Sequence, residues 1–346
     1  MIRTNVPFLV TGDGAFSRVV EAWTTSTAGG GGGSTSPSST INLPHLVDTF
    51  GSWEVPVKKN LESADELDAD GRAVEPECLI MTMKEWVEEL RLSPENYLKD
   101  FHLYNAIKER SPEAPPLYES SVFCKHDILN PFLDLVTDGD FRFMYWGPSR
   151  SETKLHSDVM NTFSWSYNVV GEKEWKFYRP WLADDDEPIK FTQAPGTTVF
   201  VPSTWKHEVV NTAETISLNH NWIAPCAVDL MFACLLNESI AVDKELAAWR
   251  LTETVTLEDR EKMLCGACGM NITMFTLMLV RAAVGMFVCL NNNAGDAESE
   301  LDLALLRSAL KTVTCSLTPS AEERYRAVLG DDMASLLTYL IKKALK

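Results

Sequence analysis

The chain has 346 residues, enough for one large domain or two ordinary ones, and its 45% apolar and 23% charged residues are an ordinary globular balance. Thirty-one basic against 49 acidic side chains give a net charge of −18, which argues against broad nucleic-acid binding and suits a basic protein partner. Eight scattered cysteines form no dense framework and read as free thiols in a reducing compartment, the cytoplasm first and the nucleus second.

The opening "MIRTNVPFLVTGDG" carries one Arg and too short an apolar run for a secretory leader. Residues 24–40, "TTSTAGGGGGSTSPSST", are too poor in apolar side chains to order themselves and read as a flexible insertion. Residues 61–77 are acidic and loop-like. In "TMKEWVEEL", Thr82 and Glu85 predict a capping box at a helix start. From 141 to 223 the pattern changes to short β-branched and aromatic runs: "FRFMYW", "FSWSYNVV", "EWKFYR", "TTVFVP" and "TISLNHNWI". Turn signals separate them, and the spacing predicts a β-sandwich or barrel. After Pro225 the signal is helical to the end, with Ser320 and Glu323 predicting another cap. "ITMFTLMLVRAAVGMFVCL", 272–290, has the length of a membrane span, but Arg281 at its centre points to a buried helix instead. Cys265 and Cys268 make one CxxC with no second pair or nearby histidine, so a packing role is expected.

The polar residues of the β region are less ordinary. Along "FSWSYNVV", Ser164, Ser166 and Asn168 share one strand face, and Phe163, Trp165, Tyr167 and Val169 the other. "TISLNHNW" splits the same way, with Thr215, Ser217, Asn219 and Asn221 on the polar side. Short Ser, Thr and Asn suit a pocket lining better than a water-facing surface, where Lys and Glu are expected. In "EKEWKFY", Lys173 shares parity with Trp175 and Phe177, so it is either a buried anion-binding ammonium or a frayed strand end reaching water. His156 and Asp158 form an HxD whose side chains share a face of an extended segment, and His207 follows 49 residues later. An HxD arises often by chance, and a lone His207 reads as structural. Together on a β scaffold, two imidazoles and a carboxylate match the facial triad of non-haem Fe(II) oxygenases, which leaves three coordination positions open. His45, His102 and His126 lie outside this region, and His220 falls on the apolar side.

The ordered set "YLKDFHL", "FRFMYWGP", "KLHSDV", "FSWSYNVVGEKEW", "VFVPSTWKHEVVN" and "SLNHNW" resembles the JmjC-domain oxygenases, over about residues 43–275. The resemblance implies a mainly β fold with α: a double-stranded β-helix, or cupin-like jelly roll. It implies N-terminal α/β elements over 1–114, the jelly roll over 115–240 and a helical C-terminal region over 241–346. It implies Fe(II) held by His156, Asp158 and His207, with 2-oxoglutarate and O2 as co-substrates. Lys173 then pairs with the distal carboxylate of 2-oxoglutarate, Thr153 donates a hydroxyl to it, and Tyr97 is a further contact. Ser166 and Asn221 fall at pocket positions. The chain departs from the family at Lys206, where relatives often carry an aromatic residue or histidine, and in a shortened segment over 181–191.

By the same resemblance the expected reaction is hydroxylation of a carbon on a lysine of a translation termination (release) factor. The acidic run Asp184, Asp185, Asp186 and Glu187 is either a solvated loop or an attractor for a basic substrate segment. No nucleic-acid or membrane partner is expected, and a homodimer through the C-terminal helices is compatible with the family. Two other readings stand beside this one. The same iron chemistry at an N-methyl group would make the chain a histone or protein lysine or arginine demethylase. A non-catalytic jelly-roll binding protein would leave His156, Asp158, His207, Lys173 and Thr153 without a task.

Overall fold

The computed structural model describes residues 2–26, 39–59, 77–92, 96–118, 126–137, 139–180, 187–252, 254–292, 297–317 and 319–345. Most of the Gly/Ser insertion, residues 61–76 and Asp184, Asp185 and Asp186 lie outside them. The strands run in chain order β1 (Phe8–Thr11), β2 (Thr24–Ser26), β3 (Ser39–Ile41), β4 (Glu54–Lys59), β5 (Cys78–Thr82), β6 (Asn96–Phe101) and β7 (Arg142–Gly147). They continue with β8 (Glu152–His156), β9 (Phe163–Val170), β10 (Lys173–Tyr178), β11 (Ile189–Gln193), β12 (Thr197–Val201), β13 (Lys206–Asn211) and β14 (Thr215–Trp222). One sheet has the order β1-β12-β9-β14-β7-β6-β4-β5, a second β11-β10-β13-β8, and β2 pairs with β3.

The two larger sheets face each other. Trp175 and Phe177 of β10 and Val209 of β13 form one buried cluster with Val199 and Val201 of β12 and with Trp205. Burying these side chains is favourable by roughly 1.5–3 kcal/mol each. The outer face of β9 is covered as well: Phe16 stacks on Tyr167 with ring centroids 3.8 Å apart and meets Trp165 edge-on. All eight residues of β9 are therefore buried, as in a central strand covered on both faces. This is the jelly-roll, cupin-type architecture expected from the sequence. Strand β10 shows the alternation read from "KEWKFY": Lys173, Trp175 and Phe177 are buried while Glu174 is exposed. Gly171 turns the chain from β9 into β10 with φ +83, where a Cβ would lie 2.2 Å from the carbonyl oxygen of Glu214; only glycine takes that turn without strain.

The chain forms two compact units. One holds Met1–Lys125, Asp138–Ser157 and Ser164–Asn221; the other holds His126–Thr137, Asp158–Phe163 and Trp222–Lys346. The first contains the sheets with α1 (Ser17–Trp23), α2 (Leu43–Phe50), α3 (Met83–Glu89) and α4 (Leu103–Arg110). Helix α3 starts at the capping box of Thr82 and Glu85, as the sequence predicts. The second unit contains α5 (Asn130–Val136), α6 (Val228–Ala248), α7 (Leu257–Cys268), α8 (Ile272–Asn291), α9 (Ala297–Ser316), α10 (Ala321–Leu329) and α11 (Asp331–Ala344). Ser320 and Glu323 form the second capping box, at α10. Within this unit the buried Glu261 and Arg324 pair at 2.5 Å, and Glu261 also accepts from the Ile272 amide. Two helical segments, Pro225–Ala248 and Ile272–Asn291, have the length and apolar composition of a membrane span, with 39% and 50% of their apolar windows buried inside the protein. Cys265 and Cys268 sit at the end of α7, and the Cys268 thiol donates to the Leu264 carbonyl.

Candidate metal centre and co-substrate pocket

His156 ends β8 and His207 is the second residue of β13. Antiparallel pairing places them opposite each other, their ring centroids 4.2 Å apart, and the register shifts just beyond, between His207 and Val209. Asp158 follows in extended backbone, φ −63 and ψ 146, before the short turn Val159–Asn161. One ligand atom from each of His156, Asp158 and His207 lies within 4.8 Å of the other two. Among the described residues, no other group of three His, Cys, Asp or Glu side chains comes together this way.

The donor chemistry fits a metal ion. His156 Nδ1 lies 2.7 Å from the Lys154 carbonyl oxygen, and His207 Nδ1 lies 3.3 Å from that of Trp205. A proton on Nδ1 donated to a carbonyl leaves Nε2 as the unprotonated, ligating nitrogen and fixes the ring. His207 is also buried and stacks beside Trp175 and Phe177, with centroids 5.8 and 5.5 Å away. Two neutral imidazoles and one carboxylate on one side of a site are the donor set of mononuclear non-haem Fe(II).

A second polar cluster lies between the same sheets. Lys173 opens β10 and is only 3% exposed, so of the two sequence readings the buried ammonium holds. It donates to the Ser217 hydroxyl of β14 at 2.6 Å. Burial, and then the repulsion of Lys99, push its pKa down to about 7. Lys173 pairs with Asn211 across the β10–β13 ladder. Asn211 donates to the Ser151 hydroxyl at 2.7 Å. The buried Tyr97 phenol hydrogen-bonds with the side chains of Asn211 and Thr153, and burial raises its pKa above the ordinary tyrosine value. An ammonium, a phenol and hydroxyls thus gather within an apolar wall, which is the chemistry that receives a carboxylate.

Of the residues singled out in the sequence, His156, Asp158 and His207 form one group, and Thr153 joins Tyr97 in another. Ser166 is buried in β9, and its hydroxyl has no hydrogen-bond partner among the described residues. Asn221 is buried near the end of β14. Sequence reasoning passed over Asn211, Ser217 as the partner of Lys173, and Lys99. Parity carries a signal for Asn211, which lies four residues after His207 and so on the same strand face. For Ser217 the sequence shows only its place in the polar row of "TISLNHNW".

The comparisons agree with this chemistry. Residues 182–222, which include His207, match the model of the "JmjC domain, hydroxylase" family. The chain is 30% identical over 310 residues to the 2-oxoglutarate and iron-dependent oxygenase JMJD4 of Danio rerio, covering 80% of this chain and 70% of that protein. It is 32% identical over 247 residues to the Homo sapiens protein of the same name, covering 62% of this chain and 58% of that one. It is also 28% identical over 254 residues to the arginine-specific demethylase JMJ20 of Arabidopsis thaliana, covering 61% of this chain and 53% of that protein. With a jelly roll, a His-Asp-His centre and a relative matched over most of both chains, this protein belongs to the JmjC-domain 2-oxoglutarate- and iron-dependent oxygenases.

Proposed function

We propose that the chain is a protein hydroxylase that oxidises a carbon of a lysine side chain in a translation termination (release) factor. The observation that carries the chemistry is the convergence of His156, Asp158 and His207 within 4.8 Å, in the same fold as a buried lysine. When bound, Fe(II) and 2-oxoglutarate together supply the activation of O2 that C–H hydroxylation requires. The protein's own residues do the rest. His156 and His207 present fixed Nε2 nitrogens when each Nδ1 carries the proton and donates it to the backbone carbonyl beside it. The Lys173 ammonium, with the Tyr97 phenol and the Thr153 hydroxyl, receives the distal carboxylate of the co-substrate and so fixes its orientation. Trp175 and Phe177 beside His207 exclude water from that side.

The lysine substrate is supported by the sequence resemblance in "YLKDFHL" and "FSWSYNVVGEKEW", and by a net charge of −18 that suits a basic target segment. The reaction calls for neither a nucleic acid nor a membrane, and the free thiols agree with a cytoplasmic setting. A second reading, removal of an N-methyl group from lysine or arginine, is favoured by the similarity to the Arabidopsis thaliana arginine-specific demethylase. Mass spectrometry of release-factor and methylated peptides, incubated with the wild-type protein and with His156→Ala, separates the two. A gain of one oxygen on a release-factor lysine with the wild type alone is the expected result. Release of formaldehyde with loss of a methyl group would replace the proposal by the second reading.

A further inference from the structure

Lys99 is a cation near Lys173 that belongs neither to the metal centre nor to the hydrogen-bonded cluster of Lys173, Tyr97 and Thr153. It lies two residues beyond Tyr97 on β6, so strand periodicity sends its side chain out of the sheet on the Tyr97 face. The neighbouring strands extend that face. Tyr145 of β7 pairs with Ser217 of β14, and the β6 bulge between the pairs Leu98–Trp146 and Phe101–Met144 sets both Lys99 and Asp100 against Tyr145. Ser217, Tyr145 and Lys99 therefore form a row across β14, β7 and β6, and Lys173 donates to the first member of the row.

The charges in this row do not balance. Asp100 is the nearby carboxylate, set at a bulge with φ 61. Its Oδ2 accepts from Lys58 at 2.5 Å and its Oδ1 from the Tyr145 hydroxyl at 2.7 Å. Lys99 makes no ion pair within 4.0 Å among the described residues. Lys58 and Lys99 thus share one carboxylate whose two oxygens are already engaged, and Lys173, bonded to Ser217, has no carboxylate partner among the described residues. Burial lowers the pKa of Lys99, and Lys99 in turn helps to lower that of Lys173. Three lysines and one carboxylate leave a positive excess here, which is unfavourable at the buried Lys173 until an anion arrives.

We propose that Lys99 is a second cationic contact for the co-substrate, forming with Lys173 a two-ammonium end wall that takes the distal carboxylate of a dicarboxylic 2-oxo acid. The inference rests on the oxygenase reading above. It makes Lys99 a specificity residue: a 2-oxo acid without the distal carboxylate gains nothing from it. A purely structural Lys99, present to balance Asp100, would leave co-substrate affinity untouched.

Titration calorimetry of 2-oxoglutarate and of pyruvate into the Mn(II)-loaded protein, without oxygen, tests this. Lys99→Met is expected to weaken 2-oxoglutarate binding about tenfold, the scale of one charge-assisted hydrogen bond. Pyruvate affinity and Mn(II) affinity stay within about twofold, since neither meets the lost charge. Lys99→Arg keeps most of the affinity, and Lys99→Gln repeats the comparison should the Met variant not fold. Equal 2-oxoglutarate affinity in wild type and in the folded neutral variants overturns the role of Lys99 alone. A wild-type protein that binds Mn(II) but no 2-oxoglutarate overturns the oxygenase reading and this inference together.

Discussion

Lys173 concentrates the electrostatics of the pocket in one side chain. Its pKa falls to about 7 against an ordinary 10.5, through burial first and Lys99 second. A carboxylate arriving at this group favours the protonated form. Co-substrate binding then takes up a proton above pH 7, and affinity for 2-oxoglutarate falls by up to about tenfold per pH unit there. Calorimetry across pH 6–9 is expected to give this slope in the wild type and a flat, weaker profile in Lys173→Met. The sign reverses for folding without co-substrate. The unfolded chain holds the Lys173 proton up to the ordinary lysine range while the folded chain releases it near 7, so this group makes stability rise with pH across that window. The difference in denaturant midpoint between wild type and Lys173→Met should shrink accordingly from pH 7 to pH 9. Much of this residue was legible from "EKEWKFY", because a strand period of two puts Lys173 with Trp175 and Phe177. Its bond to Ser217 was not, because that partner is 44 positions away and is set by sheet packing.

At the scale of elements, strands with strong composition were readable. "FRFMYW", "FSWSYNVV" and "TISLNHNW" correspond to β7, β9 and β14. Strands β8 and β11 did not stand out, since "ETKLH" and "IKFTQ" mix charged and apolar residues and lie at the two edges of their sheet. The β6 bulge at Asp100 was hidden too: a non-glycine left-handed residue leaves no compositional mark, and it obscures the place of Lys99. Gly147, the last residue of β7, tests how the strands shape the pocket. A Cβ there would lie 2.3 Å from the Ser151 hydroxyl and 2.7 Å from the Tyr97 ring. Gly147→Ala should displace Tyr97 and Ser151, weaken 2-oxoglutarate binding and cost about 1–3 kcal/mol of stability. Chemical denaturation and calorimetry on the same variant check both effects; unchanged affinity would separate Tyr97 from the co-substrate.

For the whole molecule, the switch from strand to helix after Pro225 marks where the helical C-terminal segment begins. The inclusion of His126–Thr137 in the helical unit had no sequence signal, because it depends on long-range contacts such as His126 with Asp302 at 2.9 Å. The helical unit is pinned by the buried Glu261–Arg324 pair. Arg324→Met leaves a buried carboxylate without its main partner and should cost about 3–5 kcal/mol. A lowered thermal midpoint is the expected result, and an unchanged one would mean that water reaches Glu261.

The most direct test of the whole account is a count of bound metal. Mn(II) added to the purified protein, with the free ion followed by electron paramagnetic resonance, should show one tight site per chain. That site should vanish in His207→Ala and in Asp158→Ala while both variants still unfold in one cooperative transition, His207→Ala at a lower temperature because it loses buried packing. A wild-type chain that binds no Mn(II) or Fe(II), or folded variants that bind it as tightly as the wild type, would contradict the metal centre assigned to His156, Asp158 and His207.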